Sequence, residues 1–260
     1  MSETITMQVI AQIRSEFPTK FGIPRQSGLV GELKAAVVFE PEFRIPEAVR
    51  GLEEYSHIWL LWQFSASKGW SPTVRPPRLG GNTRMGVFAT RSPFRPNPIG
   101  LSSVVLEGVE HHPKLGPVLH VAGADLMDGT PILDIKPYIR YGDCHQEASG
   151  GFTDRKEKPI LQVELPEPWR SAVPPDRLAA LIGVLAQDPR PSYHRDPQRL
   201  YGLSFAGLEV RFTVEGDRLT VREVLPEQVQ QTGEETKNER EPIRCVLTRT
   251  TIKFKDRQVL

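Results

Sequence analysis

Four short segments in the first half of this 260-residue chain have the residue types of a binding or reactive site. Each combines proline or glycine, which set the course of the backbone, with polar side chains, as loops that present a site do. They are residues 22–29 (GIPRQSGL), 75–86 (RPPRLGGNTRMG), 89–100 (ATRSPFRPNPIG) and 125–137 (DLMDGTPILDIKP). Ordinary turn chemistry is the better explanation for any one of them alone, but four in one half of a chain favour a shared site.

The charge distribution favours a partner that carries phosphate. The formal net charge is only +1, yet residues 55–106 contain no Asp or Glu, where an even spread of the 32 acids would place about six. The same stretch holds Lys68, Arg75, Arg78, Arg84, Arg91 and Arg95. A basic region without acids attracts phosphate groups. The alternative is that these arginines pair with acids elsewhere in the fold.

Several common enzyme motifs are absent from the sequence. Residues 202–207 (GLSFAG) do not have the G-x-S-x-G spacing of α/β-hydrolases. The six histidines form no H-E-x-x-H or similar motif, and neither a Walker loop nor G-x-G-x-x-G occurs. We therefore expect no metal site, no P-loop and no Rossmann nucleotide-binding domain. His57 lies inside an apolar run, so we expect a core residue there and not a catalytic base.

Composition indicates an ordinary soluble protein, with 38% apolar and 25% charged residues. No run approaches the ~18 apolar residues that span a bilayer, and the first residues lack the order of a secretory signal. The two cysteines, Cys144 and Cys245, suit neither a disulfide framework nor a zinc site. We therefore expect a cytoplasmic protein without a membrane segment.

The first half of the chain is predicted to consist mainly of short strands. Residues 33–39 alternate as a half-buried strand does, and residues 57–64 (HIWLLWQF) are apolar on both faces, which predicts a buried central strand. Several short strands separated by turns indicate a barrel or a sandwich. Further strands are expected at residues 85–89, 101–106, 118–122 and 132–135, and a short helix at residues 46–51.

The pattern changes after about residue 150. Residues 176–187 have apolar side chains at helical spacing and predict an amphipathic helix. Residues 208–221 alternate around a Gly-Asp pair and predict a hairpin. We therefore expect a mainly β protein with three parts: a β-barrel domain over residues 1–145, a smaller α+β domain over residues 150–225, and a flexible, polar tail over residues 226–260.

The chain resembles the TrmO family of tRNA methyltransferases. In the first half the resemblance is carried by GIPRQSGLV, RGLEEYSHIWLL, RPPRLGGNTRMGVFATRSPFRPNPIGLS and DGTPILDIKPY. In the second half it is carried by AQDPRPSYHRDP and YGLSFAGLEVRF. These motifs are long and uninterrupted, and together they cover about residues 5–225.

The resemblance implies methyl transfer from S-adenosylmethionine to N6 of threonylcarbamoyladenosine at position 37, in the anticodon loop of tRNA. It also implies a small antiparallel β-barrel in place of a Rossmann sheet, and a homodimer. The strand-rich first half and the missing glycine fingerprint agree with that fold. The cofactor site of the family falls here on Arg25, Gln26, Ser27, Ser65, Ala66, Arg91, Leu101, Met127, Asp128, Gly129 and Thr130.

These residue types suit methyl transfer, because a sulfonium methyl group is already activated and mainly needs alignment in a dry pocket. We expect Arg91 or Arg25 to bind the methionine carboxylate, and Asp128 to accept hydrogen bonds from the amino group or a ribose hydroxyl. Asn97, together with the Pro98 carbonyl, is the catalytic candidate that holds N6 with its lone pair free. The alternative for Asn97 is a turn residue before proline.

RNA contacts are expected from both domains. Arg75, Arg78, Arg84 and Arg95 are candidates for tRNA phosphates, while Arg190 and Tyr193 lie on a proline-rich loop, where they can bind phosphate or stack on a base. A structural cap on the preceding helix explains that loop equally well.

Two other functions stay open on the sequence alone. One is a non-catalytic barrel that binds RNA or a nucleotide. The other is a hydrolase that uses His57 or His194 with an acid, which the absence of a nucleophile motif disfavours.

Overall fold

The computed structural model describes residues 4–80, 82–154, 160–191, 194 and 196–227. Contacts group the described residues into one compact unit. The predicted flexible tail lies outside the described residues, except for its first two positions.

The described residues form twelve strands, three short or medium α-helices and several 3-10 turns. The strands are β1 (Ala11–Arg14), β2 (Lys34–Phe39), β3 (His57–Gln63), β4 (Thr73–Val74), β5 (Met85–Gly86), β6 (Ile99–His112), β7 (Gly116–Ala122), β8 (Pro131–Pro137), β9 (Gln162–Glu164), β10 (Tyr201–Phe205), β11 (Leu208–Glu215) and β12 (Arg218–Pro226). The helices are α1 (Arg140–Asp143), α2 (Trp169–Ala172) and α3 (Pro175–Ala186). The 3-10 turns are Pro41–Phe43, Pro46–Val49, Leu52–Glu54, Pro77–Leu79, Val87–Ala89 and Gly151–Thr153.

Six strands close into an antiparallel barrel in the order β1-β2-β7-β6-β3-β8. Closure pairs each of these strands on both sides, so the backbone groups of the sheet satisfy one another. The barrel core is filled by alternate residues of the strands, among them Ile13, Val37, Ile58, Leu60, Leu119 and Ile132, all fully buried. The prediction of a mainly β fold is confirmed. Of the two architectures that the sequence allowed, a barrel or a sandwich, the structure has the barrel.

Strand β3 confirms the strand predicted at residues 57–64, but it is buried on one face and not on both as predicted. It lies between β6 and β8, and only its inward-facing residues are buried. His57 lies on the outer face and is exposed, with its Nδ1 2.9 Å from Ser56 Oγ. The prediction of a core histidine was wrong, because an apolar run predicts a strand without showing whether a second layer covers its outer face.

Two predicted elements are shorter than expected. Of residues 85–89 only Met85 and Gly86 pair as a strand, and Val87–Ala89 forms a 3-10 turn. Thr90 closes that turn, because its N–H and its hydroxyl both donate to the Val87 carbonyl. The helix predicted at residues 46–51 is the 3-10 turn Pro46–Val49, which ends before Gly51 in a left-handed conformation.

A second core lies under a four-stranded sheet of order β10-β11-β12-β9. Helix α3 confirms the helix predicted at residues 176–187 and contributes Leu181, Val184 and Leu185, which are fully buried, to this core. The predicted hairpin is confirmed as β11–β12. Phe17 and Val30 from the first half of the chain also belong to this core. The boundary near residue 150 therefore stays a prediction.

Candidate active site

A cavity of about 460 Å³ lies among three of the four loop segments that the sequence singled out. Its walls come from residues 23–26, from the segment 90–101 and from residues 125–130, and residues 62–67 complete it. This volume is in the range of small-molecule and cofactor sites. No described residue of the fourth segment, residues 75–86, lines the cavity.

Most of the predicted cofactor residues meet in this cavity. The loop after β3 is held against the segment 90–101 by a hydrogen bond of 2.9 Å from Phe64 N–H to the Pro98 carbonyl. The predicted residues that line the cavity are Arg25, Gln26, Ser65, Ala66, Arg91, Leu101, Met127 and Thr130.

Ser27, Asp128 and Gly129 were also predicted to bind the cofactor but do not line the cavity. Asp128 Oδ1 accepts a hydrogen bond of 3.1 Å from Ser15 N–H, just after β1. Gly129 N–H donates to the Ile13 carbonyl of β1 at 2.9 Å. Both residues therefore fix the cavity-lining loop 125–130 onto the barrel.

Cations surround the cavity, since Lys20, Arg25, Arg91 and Arg95 all line it. The Arg91 guanidinium donates to Gln26 Oε1, which links two of the predicted cofactor residues. Burial lowers the pKa of Arg25, while the charge of Asp188 opposes this shift. This basic lining suits a ligand with carboxylate or phosphate groups.

An apolar wall faces this basic lining. The rings of Trp62 and Phe64 lie 4.3 Å apart between centroids, and Ile99, Leu101 and Met127 line the same cavity. Trp62 packs directly against Gly100, where a Cβ atom would collide with the indole ring. The glycine thus lets the aromatic ring lie flat against β6.

Asp125 lines the cavity but was not among the site residues predicted from the sequence. Its Oδ1 accepts a hydrogen bond of 2.6 Å from the Ser102 hydroxyl, and Ser102 Oγ accepts one of 3.0 Å from Trp62 Nε1. Burial raises the pKa of Asp125, while the bond from Ser102, backbone N–H groups and Arg91 oppose this shift. The only signal for Asp125 in the sequence is the presence of three aspartates around one turn. Its hydrogen bonds to Ser102, and through Ser102 to Trp62, join residues that are distant in the chain.

Comparison with known proteins identifies the family. A model of the tRNA-methyltransferase O N-terminal domain matches residues 12–144, and a model of the TrmO C-terminal domain matches residues 160–227. The chain belongs to the TrmO family.

Two bacterial relatives match this TrmO-family chain over most of their lengths. A protein of Escherichia coli (strain K12), named tRNA (adenine(37)-N6)-methyltransferase, is 42% identical over 223 residues, which cover 79% of this chain and 91% of the relative. A Pseudomonas aeruginosa protein, named putative S-adenosylmethionine-dependent methyltransferase RcsF, is 43% identical over 219 residues, with coverages of 80% and 92%. A crystal structure of TrmO from P. aeruginosa has a TM-score of 0.70 and 36% identity, and the match covers 87% of this chain and 99% of that one.

The arginines predicted to contact tRNA divide into two groups. Arg75, Arg78 and Arg84 are exposed and lie outside the cavity lining. Arg95 lines the cavity, but its guanidinium donates to the Thr90 carbonyl at 2.7 Å and so also holds the loop. Among the described residues, none of these four forms an ion pair with a carboxylate.

Asn97 and Arg190, two further residues predicted for the site of this TrmO-family chain, do not line the cavity. The side chain of Asn97 is exposed, and its backbone carbonyl accepts a hydrogen bond of 2.8 Å from Ile99 N–H. Arg190 forms a two-point ion pair with Asp188, with Nε 2.8 Å from Oδ1. Tyr193 lies outside the described residues.

Two classes of site receive no support from the described part of the chain. It contains no group of three or more His, Cys, Asp and Glu side chains that could hold a metal ion. None of its helices has the length and hydropathy needed to cross a membrane.

Proposed function

We propose that this protein transfers a methyl group from S-adenosylmethionine to N6 of the adenosine at position 37 of tRNA. The observation that carries the proposal is the cavity itself: eight residues that the TrmO resemblance assigns to the cofactor line one space, although they come from four separate parts of the chain. The E. coli relative, 42% identical, carries the name of this activity.

The residues present fit the cofactor. Its carboxylate needs a cation, and Arg25 and Arg91 are both in the lining. Its adenine base needs apolar surface, which Trp62, Phe64 and Leu101 supply. When bound, S-adenosylmethionine supplies a methyl group that is already activated for transfer.

The chain's own contribution is alignment and exclusion of water. Gln26 fixes the guanidinium of Arg91, and the Phe64–Pro98 hydrogen bond holds two walls of the cavity together. A preorganised and partly dry cavity lowers the barrier by placing the reactants in line. Asn97 stays the candidate contact to N6, since its exposed side chain lies on the segment that forms one wall.

The acceptor proposed in finer detail is threonylcarbamoyladenosine in the anticodon loop, in the cytoplasm. Threonylcarbamoyl adds a carboxylate to the base, and the four cations around the cavity favour an acceptor with this extra charge. Arg75, Arg78 and Arg84 are exposed, so they can bind phosphates of the loop.

The proposed assembly is a homodimer that covers the outer face of β3 and β6. Ile99, Leu101 and Val105 of β6 are between 37% and 46% exposed on that face, and Trp59 and Leu61 of β3 pair with the same strand. An apolar strip of this kind marks an interaction surface. Sedimentation equilibrium tests this part with Val105→Glu, since Val105 does not line the cavity. A wild-type dimer that this variant dissociates supports the proposal, and a wild-type monomer contradicts it.

The experiment that tests the activity locates the methyl group on the RNA. The full chain is incubated with S-adenosylmethionine and tRNA purified from cells, and nuclease fragments are analysed by mass spectrometry. We expect 14 mass units, the gain for CH₂, on the fragment that contains position 37 and on no other. Transfer to another position would contradict the proposal, and binding of tRNA or cofactor without transfer would favour the non-catalytic alternative.

A further inference from the structure

Asp125 is the one carboxylate among the described residues that line the cavity. We propose that it accepts the proton that N6 of the substrate adenosine loses during methyl transfer. The inference rests on the proposed function and adds to it a residue that the cofactor assignments do not include. The other ionisable side chains in the described lining are the cations Lys20, Arg25, Arg91 and Arg95, and none is His, Cys or Tyr.

The reaction requires a proton acceptor because N6 must end neutral. As the bond from N6 to the methyl carbon forms, the bond from that carbon to sulfur breaks and its electron pair stays on sulfur. The nitrogen would then keep a positive charge unless its proton leaves. The proton passes to a carboxylate oxygen of Asp125, which becomes a carboxylic acid and later releases the proton to water.

The barrel wall holds this carboxylate in a defined orientation. The indole N–H of Trp62 can only donate, so Ser102 Oγ must accept from it and turn its own hydrogen toward Asp125. Ser102 is 1% exposed, which keeps water from competing for either bond. An ionised carboxylate accepts at about four lone-pair positions. The contacts from Ser102 and from the backbone N–H groups of Asp125 and Ser27 therefore leave capacity for a substrate N–H.

The surroundings of Asp125 act on its carboxyl group in two opposing ways. Burial raises the pKa of its carboxyl group, which strengthens it as a proton acceptor. The bond from Ser102, the backbone N–H groups of Asp125 and Ser27, and the charge of Arg91 all favour the ionised form. Lys20, Arg25 and Arg95 add positive charge from the other walls.

The competing role for Asp125 is a purely structural contact to the cofactor, through an amino group or a ribose hydroxyl. The two roles differ in what they change. A proton acceptor affects the rate of the chemical step and its pH dependence, whereas a cofactor contact affects the affinity for S-adenosylmethionine. Both quantities are measurable on the same variants.

The test is Asp125→Asn in the full chain, with Asp217→Asn as the matched control. Asp217 is an exposed carboxylate in the β11–β12 turn. We expect the single-turnover rate of Asp125→Asn to fall about 100-fold or more, while calorimetric affinity for S-adenosylmethionine stays within about threefold. The wild-type rate should rise with pH as Asp125 ionises, and this rise should be absent from Asp125→Asn.

A second variant keeps the test decisive if the amide disturbs the fold. Asp125→Glu retains an ionisable group, so it should keep a pH-dependent rate at reduced magnitude. A near-normal rate in Asp125→Asn would overturn the inference, and so would a tenfold loss of cofactor affinity with the pH dependence retained. A wild-type protein that binds cofactor but methylates no tRNA would instead overturn the proposed function.

Discussion

The Ser102 hydroxyl donates a 2.6 Å hydrogen bond to Asp125 while it accepts a 3.0 Å hydrogen bond from Trp62. Ser102 lies on β6, opposite Leu60 of β3, and faces into the barrel among apolar residues. A buried hydroxyl is costly unless its hydrogen bonds are satisfied. Here the indole of Trp62 and the carboxylate of Asp125 satisfy both hydrogen bonds of the Ser102 hydroxyl. The barrel interior therefore sets the orientation of the Asp125 carboxylate in the cavity.

Replacing Ser102 by alanine should shift the pH dependence of methyl transfer. The bond from Ser102 favours the ionised carboxylate, so its loss should raise the pKa of Asp125 further and move the rise in single-turnover rate to higher pH. The free energy of unfolding should also fall by about 1–3 kcal/mol, because the Trp62 N–H loses its acceptor. Rates over a pH series and urea unfolding measure the two effects.

The control for that variant is Ser103→Ala, since Ser103 is the next residue on β6 and is only half-buried. It should leave the pH dependence in place. An unchanged pH profile in Ser102→Ala would show that this hydrogen bond does not act on the titrating group.

Asp125→Asn should be more stable than the wild type at neutral pH. Burial raises the pKa of Asp125 above its unfolded value, so its contribution to stability is fully present only below the ordinary carboxyl pKa of about 3.9. This contribution is lost as pH rises through the folded pKa. The difference in unfolding free energy between variant and wild type should therefore grow as pH rises from about 3.9 to the folded pKa of Asp125, and stay constant above it. Urea denaturation at several pH values measures it, and a difference independent of pH would contradict the account.

Gly100→Ala should disturb the cavity through Trp62. A Cβ atom at residue 100 collides with the indole ring, and overpacking of this kind costs about 1–3 kcal/mol. We expect that loss in unfolding free energy and a weaker affinity for S-adenosylmethionine, since Trp62 lines the cavity. Gly108→Ala on the same strand is the control, because a Cβ there meets no atom within 4 Å. If both variants had the same unfolding free energy and the same affinity for S-adenosylmethionine, the close packing of Gly100 against Trp62 would have no role in the cavity.

Arg75→Gln should weaken tRNA binding through the loss of a phosphate contact. Arg75 is exposed and forms no ion pair with a described carboxylate. One lost phosphate contact should reduce the slope of log affinity against log salt by about 0.7 to 0.9. Fluorescence anisotropy across a potassium chloride series measures the slope. Arg50→Gln, at an exposed arginine near Glu47, should leave it unchanged; the same slope in all three proteins would exclude Arg75 from the RNA surface.

Strand and helix positions were predictable where apolar periodicity is strong, as in β3, β7, α3 and the β11–β12 hairpin. Strand β6 was predicted only over residues 101–106 but continues to His112. Residues 107–112 (EGVEHH) lack apolar alternation, and they remain in the strand because they pair with β7. Closure of the barrel depends on such long-range pairing. The pattern of strands in the sequence therefore could not distinguish a barrel from a sandwich.

The loops that form the site were predictable from the sequence, but the hydrogen bonds that link its side chains were not. Three of the four segments singled out by proline, glycine and polar residues do meet at one cavity. Asp125 was missed because its significance comes from Ser102 and Trp62, which join it only through the register of β3 and β6. Arg95 was assigned to RNA on charge alone, whereas its bond to the Thr90 carbonyl depends on the folded loop.

Transfer of a labelled methyl group from S-adenosylmethionine into two tRNA pools tests the central claim most directly. One pool carries threonylcarbamoyladenosine at position 37, and the other is the same tRNA transcribed without modification. The account predicts incorporation into the modified pool alone, in a single-turnover assay with the full chain. Equal incorporation into both pools would contradict the proposed acceptor, and incorporation into neither, with cofactor binding intact, would contradict the proposed reaction on this tRNA.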